Sequence, residues 1–275
     1  MGCRRDRCRI TQCSWGVARC KRCAACSQHR AAHGGALSAA PASRRQHRPR
    51  TGSRRIALFG GTFDPIHEGH LAVARAAERR FHFDEVHFIP AAHPPHKPAS
   101  ELLPFAHRFA MVALACAGQA RFVPSLAESN SNSAAAGASY SVDTVRRFQR
   151  EICRPGDQIY FLLGADSFLE IETWKEYETL LGLCDFVVAS RPGFSGDALR
   201  RVIPLRLMAK QPRDSRPNRG AIRLLRTTVH LLDTVASRVS ATAVRRRLDG
   251  GRNVHGLVPR AVEEYILKQA LYRER

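Results

Sequence analysis

The stretch Arg55-Ile-Ala-Leu-Phe-Gly-Gly-Thr-Phe-Asp-Pro-Ile-His-Glu-Gly-His70 decides the fold of this chain. It opens with a short apolar run that ends in glycine, which is typical of a buried strand. Residues 69–80, which overlap its end, carry apolar residues at helical spacing. Because glycines between a strand and a helix let the backbone approach a phosphate without a Cβ in the way, the stretch predicts a phosphate-binding turn between the two elements.

Apolar runs and helical patterns alternate through the rest of the chain. The predicted strands are residues 55–60, 85–90, 121–124, 158–163, 186–189 and 228–232. The predicted helices are residues 69–80, 105–117, 142–151, 168–181, 241–248 and 259–271, and residues 128–139 and 209–220 are predicted as long loops of unassigned role. This alternation predicts an α/β fold, a Rossmann-like, mostly parallel sheet with helices on both faces. A ligand is then expected at the carboxyl ends of the strands.

Charge and cysteine divide the chain into two parts. The net charge is +20, and residues 1–55 contain 14 of the 44 Lys and Arg residues but only one of the 24 acidic residues. Six of the nine cysteines lie in the first 26 residues. A charge this positive would suggest nucleic acid or an acidic membrane surface as partner, but most of it belongs to the tail. We therefore expect a disordered, basic, Cys- and Arg-rich N-terminal extension over residues 1–53 and one folded domain over residues 54–275.

The N-terminal part admits more than one interpretation. Cys20-Lys-Arg-Cys23-Ala-Ala-Cys26 has CxxCxxC spacing and is followed by His29 and His33, a set that suits zinc or an iron–sulfur cluster. Against a metal site, the segment has almost no periodic apolar pattern, and its later part is rich in Ala, Ser, Arg and Pro. A disordered basic arm, or an upstream extension carried in by a wrongly chosen start, is the favoured reading over a metal site or a transit peptide.

Membrane insertion and a disulfide framework are both disfavoured. No run approaches the roughly 18 apolar residues that a membrane span needs, and Arg and Cys interrupt every apolar stretch near the N-terminus. Cys116, Cys153 and Cys184 lie far apart and lack metal-ligand spacing, so they are predicted to be ordinary thiols. The folded part is therefore expected to be a reduced, cytoplasmic protein.

His67 and His70 stand at the start of the first predicted helix. They lie three residues apart, so one helical turn places both on the same face. The helix also offers unpaired N–H groups and the positive end of its dipole at this point. Imidazoles here can donate to phosphoryl oxygens as negative charge develops on them. An ordinary strand–helix turn with surface histidines is the alternative, which the complete stretch disfavours.

This stretch resembles the HxGH signature of the nucleotidyltransferase superfamily, and Gly-Gly-Thr-Phe-Asp-Pro-x-His-x-Gly-His is similar to the motif of its nicotinate-nucleotide adenylyltransferases. Further segments resemble that family in the same order along the chain: Pro94-Pro-His-Lys97, Ser139-Tyr-Ser-Val-Asp-Thr144, Leu163-Gly-Ala-Asp-Ser167, Thr173-Trp-Lys-Glu176, Arg191-Pro-Gly193, Ser240-Ala-Thr-Ala-Val-Arg245 and Val258-Pro-Arg-Ala-Val-Glu-Glu-Tyr-Ile266. The resemblance covers residues 55–273 and identifies residues 54–275 as a nucleotidyltransferase domain. One departure is Ser141, where the family usually has Thr, and the hydroxyl is kept.

Several of these segments also have a physical interpretation. Ser240 is well placed as the N-cap of a helix with Thr242 and Arg245 in its first turns, which would make a triphosphate site or simply a capped helix with solvated arginines. Asp166 follows a buried strand, where a carboxylate can accept from ribose hydroxyls or cap the next helix. Trp174 can stack on a pyridine ring or belong to the core.

The resemblance implies a role for each matched residue. The implied catalytic residues are His67, His70, Lys97 and Arg245. The implied ATP-binding residues are Gly60, Gly61, Thr62, Phe63, His96, Gly164, Asp166, Arg191, Ser240 and Thr242, and the implied substrate-binding residues are Ser139, Tyr140, Ser141 and Trp174. His70, with His67 beside it, is expected on the α-phosphoryl oxygens. Lys97 and Arg245 would hold the leaving pyrophosphate, although charged loop residues such as Lys97 are often only solvated.

The implied reaction is in-line attack by the 5′-phosphate of nicotinate mononucleotide on the α-phosphorus of ATP. It gives nicotinate adenine dinucleotide and pyrophosphate, a step of NAD biosynthesis. Mg²⁺ is expected on the ATP phosphates with most of its waters, because the sequence holds no acidic cage, and no protein metal site is predicted. No specific nucleic acid and no membrane are expected as partners.

Two alternatives remain. One is another HxGH adenylyltransferase, acting on nicotinamide mononucleotide or on phosphopantetheine, and the Trp174 segment and Pro94-Pro-His-Lys97 argue against phosphopantetheine. Preference for the nicotinate over the nicotinamide nucleotide rests on the resemblance alone. The other is a non-enzymatic nucleic-acid-binding protein that acts through its basic tail, which predicts salt-sensitive binding that is lost without the tail.

Overall fold

The computed structural model describes residues 52–95, 99–129, 138–190, 194–210, 220–233 and 239–272. The predicted N-terminal extension, with its CxxCxxC stretch, lies outside the described residues up to residue 51. His96, Lys97 and Arg191 of the predicted site also lie outside them, as does most of the two predicted long loops.

A single sheet forms the centre of the described structure. Its strands are β1 (Arg55–Gly61), β2 (Glu85–Pro90), β3 (Phe122–Pro124), β4 (Gln158–Gly164), β5 (Asp185–Ala189), β6 (Ala221–Arg223) and β7 (Thr228–Leu232). They are ordered β3-β2-β1-β4-β5-β7-β6, and every neighbouring pair is parallel except β6 with β7. The predicted mostly parallel sheet is confirmed. The sequence analysis missed β6, because three residues are too few to show a strand pattern.

Helices cover both faces of this sheet. They are α1 (Glu68–Phe81), α2 (Phe105–Cys116), α3 (Ser141–Glu151), α4 (Ala165–Leu169), α5 (Tyr177–Leu183), α6 (Gly196–Arg201), α7 (Ala241–Asp249) and α8 (Arg260–Lys268). Successive β1 residues point to opposite faces, so that Ala57 and Phe59 belong to one core cluster and Ile56 and Leu58 to another. The first cluster contains residues of α1, α2, α7 and α8, and the second contains residues of α3 to α6. The predicted helices on both faces are thereby confirmed.

The prediction of one helix over residues 168–181 is wrong. The segment instead contains the end of α4, a 3₁₀ turn at Ile171–Thr173, and the start of α5. Trp174 is extended, with φ −81° and ψ 143°, and Glu176 is left-handed, with φ 49°, so the helix cannot continue through them. The apolar residues that suggested a helix are buried in both pieces, which explains the misleading spacing.

The strand order places a crevice beside β1. From β1 the chain proceeds to β2 and β3 on one side, and then continues to β4 on the other side. In open α/β sheets, ligands bind at the carboxyl ends of the strands where the order reverses in this way. The relevant strand ends are Gly61 of β1 and Gly164 of β4. Among the helices that the structure describes, none combines the length and apolarity that crossing a membrane requires.

Candidate active site

A pocket of about 940 Å³ opens at this crevice, at the carboxyl ends of β1 and β4. It brings together residues that the sequence analysis drew from four separate segments. Those that line it are Gly60, Gly61, His67, His70, Ser139, Tyr140, Ser141, Gly164, Asp166 and Trp174. The volume is at the upper end of the roughly 300–1,000 Å³ typical of ligand pockets, which suits an extended ligand.

The end of β1 is tight for a side chain at Gly61 but not at Gly60. A Cβ on Gly61 would lie 3.0 Å from Cζ of Phe63, and one on Gly60 would lie 3.5 Å from Cζ of Phe161. Phe63 is left-handed, with φ 49°, and its ring is 2% exposed in the core beneath the turn. Neither Phe63 nor Thr62 lines the pocket, and the lining residues of β1 are Phe59, Gly60 and Gly61.

His67 and His70 cap the first turn of α1 for each other. His67 is the N-cap residue, and its Nδ1 accepts from the backbone N–H of His70 at 3.4 Å. In return, Nδ1 of His70 accepts from the backbone N–H of His67 at 3.2 Å. The two rings are stacked, with centroids 3.6 Å apart and planes at 19°. The His-x-Gly-His spacing thus lets each imidazole hold the orientation of the other.

The burial of both rings sets their protonation. Burial lowers the pKa of His67 from 6.5 to about 4, and burial lowers the pKa of His70 well below its usual range. Both rings are therefore neutral near pH 7. A neutral imidazole whose Nδ1 accepts a hydrogen bond carries its proton on Nε2. The pair consequently presents two Nε2–H donors in one pocket, which is the arrangement that phosphoryl oxygens require.

The low pKa of His67 has a consequence for stability. Unfolded His67 binds a proton below pH 6.5 and folded His67 only below about pH 4, so stability should be complete above pH 6.5 and fall toward pH 4. From pH 7 to pH 5 we expect His67 to contribute a loss of about 2 kcal/mol in the free energy of unfolding. Urea unfolding at both pH values checks this.

A non-titrating variant supplies the control for that measurement. His67→Asn keeps an N-cap acceptor but cannot bind the proton. Its unfolding free energy should fall less than that of the unaltered chain between the two pH values, while His82→Asn, at the exposed other end of α1, should follow the unaltered chain. Equal losses in all three proteins would contradict a neutral, buried His67.

Aromatic side chains form another part of the pocket. Trp174 is half-buried, with its ring edge-on to Phe161 at 6.1 Å between centroids. Tyr140, at the N-cap of α3, also lines the pocket, and Nζ of Lys175 lies 4.6 Å from its ring centroid. Lys175 also donates to Oδ2 of Asp143 at 3.0 Å. Among the pocket residues that the structure describes, Lys175 is the only Lys or Arg, so it brings the positive side chain to the aromatic part.

A carboxylate joins the aromatic part of the pocket to the loop after β2. Glu128 accepts from the hydroxyl of Thr144 at 2.8 Å and from the backbone N–H of Ala92 at 3.4 Å. Burial is the largest influence on its pKa and raises it. Ser139 contacts the same loop, because its N–H donates to the carbonyl of His93 at 3.0 Å. These hydrogen bonds hold Glu128 in the wall of the pocket.

The motif at α7 takes a different place from the one expected. Ser240 caps α7 by accepting from the N–H of Ala243 at 3.2 Å, as predicted. Ser240, Thr242 and Arg245 do not line the pocket in this structure. Nη1 of Arg245 donates to the carbonyl of Asp64 at 2.7 Å, inside the turn between β1 and α1. Arg245 thus supports the histidine turn from behind.

The sequence analysis did not single out three charged residues of this region: Arg108, Glu128 and Lys175. Arg108 had a readable signal, because Arg108, Met111, Val112 and Ala115 form the buried face of α2 at helical spacing. An arginine on such a face needs buried partners. Glu128 and Lys175 carry no such local signal. No three His, Cys, Asp or Glu side chains of the described residues group closely enough to hold a metal ion.

Comparisons with known proteins identify the family of the chain. The cytidylyltransferase-like family model matches residues 58–247. A probable nicotinate-nucleotide adenylyltransferase of Geobacter sp. (strain M21) is 41% identical over 218 residues, which cover 79% of this chain and 98% of that protein. One of Moorella thermoacetica is 40% identical over 221 residues, which cover 80% of this chain and 93% of that protein.

Solved structures share the fold. A Plasmodium falciparum nicotinic acid mononucleotide adenylyltransferase complexed with NaAD matches with a TM-score of 0.57 at 18% identity, over 80% of this chain and 97% of that chain. A putative nicotinate-nucleotide adenylyltransferase from Vibrio parahaemolyticus matches with a TM-score of 0.52 at 17% identity, over 81% and 97%. With the family model and the 40% identical relatives, these findings show that the chain belongs to the nicotinate-nucleotide adenylyltransferase family.

Proposed function

We propose that this chain transfers the adenylyl group of ATP to nicotinate mononucleotide, which gives nicotinate adenine dinucleotide and pyrophosphate. The observation that carries the proposal is a single pocket that contains both a pair of Nε2–H donors beside a glycine floor and an aromatic part with one lysine. The pair of donors beside the glycines suits a reacting phosphoryl group. The aromatic part with its lysine suits a pyridine ring that carries a carboxylate. The match to this chain covers 98% and 93% of the length of these two relatives. Their names support the same reaction.

The chemistry needs no covalent intermediate on the protein. An oxygen of the acceptor 5′-phosphate forms a bond to the α-phosphorus of ATP as the bond to the leaving pyrophosphate oxygen breaks. Both reactants are anions, so catalysis consists mainly of positioning and charge stabilisation. His70 donates its Nε2–H to an α-phosphoryl oxygen, with His67 beside it. Gly60 and Gly61 let the phosphates approach the backbone of β1.

The remaining phosphate ligands in this proposal come from three segments. Lys97, with His96, and Arg191 are assigned to the phosphates of ATP on the resemblance of their motifs. Arg245 is assigned to the leaving pyrophosphate on the resemblance of its motif alone, since in this structure it lies behind the histidine turn and donates to the Asp64 carbonyl. Mg²⁺ fits this site as an ion that the phosphates bring, because the described acidic residues form no cluster for it. When bound, it neutralises charge on the β- and γ-phosphates.

Nucleoside recognition occupies the rest of the pocket. Asp166, exposed at the start of α4, is assigned to a ribose hydroxyl, and Gly164 leaves open space beside it. Trp174 is assigned to stacking on the pyridine ring, and Ser139, Tyr140 and Ser141 of the same pocket are assigned to substrate binding. Lys175 then lies where it can favour a pyridine that carries a carboxylate over one that carries an amide.

Lys175→Met should weaken the preference for nicotinate mononucleotide over nicotinamide mononucleotide. We expect the ratio of kcat/KM for nicotinate to nicotinamide mononucleotide to fall about fivefold, a modest factor because the Lys175 side chain is 42% exposed and also pairs with Asp143. Steady-state rates with both nucleotides measure the ratio. Lys268→Met, at the exposed end of α8, is the matched control and should leave the ratio unchanged. An unaltered ratio in Lys175→Met would remove Lys175 from substrate selection.

The proposal as a whole is tested by comparing acceptors. Purified full-length protein is supplied with ATP and Mg²⁺ and with nicotinate mononucleotide, nicotinamide mononucleotide or phosphopantetheine, and pyrophosphate release is followed. We expect the largest kcat/KM for nicotinate mononucleotide. Faster turnover of phosphopantetheine would refute the proposed acceptor, and faster turnover of nicotinamide mononucleotide would refute its acidic specificity.

A further inference from the structure

Arg108 is a buried arginine that lies beneath the pocket rather than in its lining. It is 1% exposed on α2, and its guanidinium is directed at main-chain carbonyl groups. Nη1 donates to the carbonyls of Thr62 at 2.9 Å and Ala91 at 2.7 Å, Nε donates to that of Leu103 at 3.0 Å, and Nη2 donates to that of Ala92 at 3.4 Å. Burying a cation in this way is costly, so a site that keeps one needs all these contacts.

The carbonyls belong to the two loops that border the pocket. Thr62 begins the turn that leads from β1 to the histidines, and Ala91 begins the loop after β2. The Nη1 atom of Arg108 therefore bridges both loops from one nitrogen. The backbone N–H of Ala91 also donates to the carbonyl of Gly61 at 2.9 Å, so the loops are joined at the same place by the main chain. The loop after β2 contributes Pro94 and Pro95 to the pocket lining.

Two carboxylates, those of Asp64 and Glu128, attract the guanidinium of Arg108. Asp64, in the histidine turn, is 3% exposed and accepts from the N–H of Leu103 at 3.2 Å and from the hydroxyl of Tyr272. Glu128 accepts from the N–H of Ala92, in the loop after β2, at 3.4 Å. Attraction to Asp64 and Glu128 opposes the lowering of the pKa of Arg108 by burial. The guanidinium thus lies between the histidine turn and the aromatic part of the pocket.

We propose that Arg108 is a positioning residue for adenylyl transfer, which fixes the histidine turn relative to the loop after β2. The inference rests on the proposed function, because it takes the histidine turn and the loop after β2 to act in the same adenylyl-transfer reaction. Arg108 itself touches no substrate in this account. The guanidinium donates from three nitrogens to four carbonyls, whereas a lysine offers only one nitrogen, so the shape of the guanidinium matters as well as its charge.

The expected signature is a loss of turnover rather than of binding. A misplacement of about 1 Å between reacting groups can cost roughly 10²-fold in rate, so Arg108→Met should lower kcat by about that factor. KM for ATP and for nicotinate mononucleotide should change less, by about threefold, because the pocket walls remain. Arg108→Lys should recover part of kcat, since it keeps the charge but has one nitrogen where three meet the carbonyls of the two loops.

A second arginine separates positioning from simple stabilisation. Arg54, at the opposite ends of the strands, donates to Asp157 at 2.7 Å, to Glu85 at 3.0 Å and to the carbonyl of Ile152 at 3.0 Å. Arg54→Met should lower the Tm but leave kcat unchanged at temperatures where the protein is folded. Arg108→Met should lower both.

The experiment measures kcat, both KM values and the Tm of full-length unaltered, Arg54→Met, Arg108→Met and Arg108→Lys proteins, with rates taken well below each Tm. A kcat in Arg108→Met equal to that of the unaltered protein would overturn the inference, even if the Tm falls. If Arg108→Met does not fold, Arg108→Lys decides, and a kcat within about twofold of the unaltered value would overturn it. An unaltered protein that does not use nicotinate mononucleotide would refute the proposed function instead, whatever the variants do.

Discussion

His70→Ala should lower kcat for dinucleotide formation by roughly 10²- to 10³-fold, the usual cost of removing one preorganised donor to a reacting oxyanion. The pKa of His70 is held well below its usual range by burial, so the lost group is a neutral Nε2–H donor rather than a cation. Its attraction grows as negative charge develops on the α-phosphoryl oxygens. KM for ATP should therefore change little, by about threefold. Steady-state kinetics with varied ATP measure both constants.

Loss of the helix cap must be distinguished from loss of the donor. The Nδ1 of His70 accepts from the N–H of His67, and its removal is expected to cost about 1 kcal/mol of stability. His70→Asn can keep a side-chain acceptor for the N–H of His67 in the first turn of α1. Its amide is shorter than the imidazole and does not reach as far as the Nε2–H donor. His82→Asn, at the other end of α1, controls for histidine removal as such. A kcat for His70→Ala within tenfold of the unaltered protein would exclude a direct part for His70 in the reaction.

Trp174→Ala should raise KM for nicotinate mononucleotide by about 10- to 100-fold, because stacking of a base on an aromatic side chain contributes roughly 1–3 kcal/mol. The indole lines the pocket and lies at 78° to the ring of Phe161, with centroids 6.1 Å apart. KM for ATP should be nearly unchanged. Rates measured at saturating ATP with varied mononucleotide test the difference.

An aromatic replacement provides the matched comparison for Trp174. Trp174→Phe keeps a flat ring and should retain most of the affinity for the mononucleotide. If Trp174→Ala raised both KM values equally, the residue would be a general support of the pocket wall. If neither KM changed, the pyridine would have to bind elsewhere.

The histidine turn could be predicted from the sequence because its information is local. The strand, the two glycines and the helix follow one another without a gap between residues 55 and 80, and each has its own pattern. The structure adds how His67 and His70 hold each other, which a spacing of three residues only permits. It also shows that Phe63 serves the core, although it lies inside the same motif.

The missed features depend on contacts between distant segments. Arg108 reaches the carbonyl of Thr62 across 46 positions of the chain, and Tyr272 reaches Asp64 across 208. Neither pair leaves a trace in local spacing. The break at Trp174 is similar, since its apolar neighbours continue a helical pattern while the backbone turns the indole to the pocket. Lys175 follows Trp174, and it lines the pocket because the backbone changes direction at this point.

The most direct test of the central claim follows the phosphorus atoms of ATP. Full-length protein is incubated with Mg²⁺, nicotinate mononucleotide and ATP that is labelled either at the α-phosphorus or at the γ-phosphorus, and the products are separated. We predict that the α label appears in nicotinate adenine dinucleotide and the γ label in pyrophosphate, in equal amounts. Recovery of the α label only in AMP, or bound to the protein, would contradict direct adenylyl transfer in this pocket.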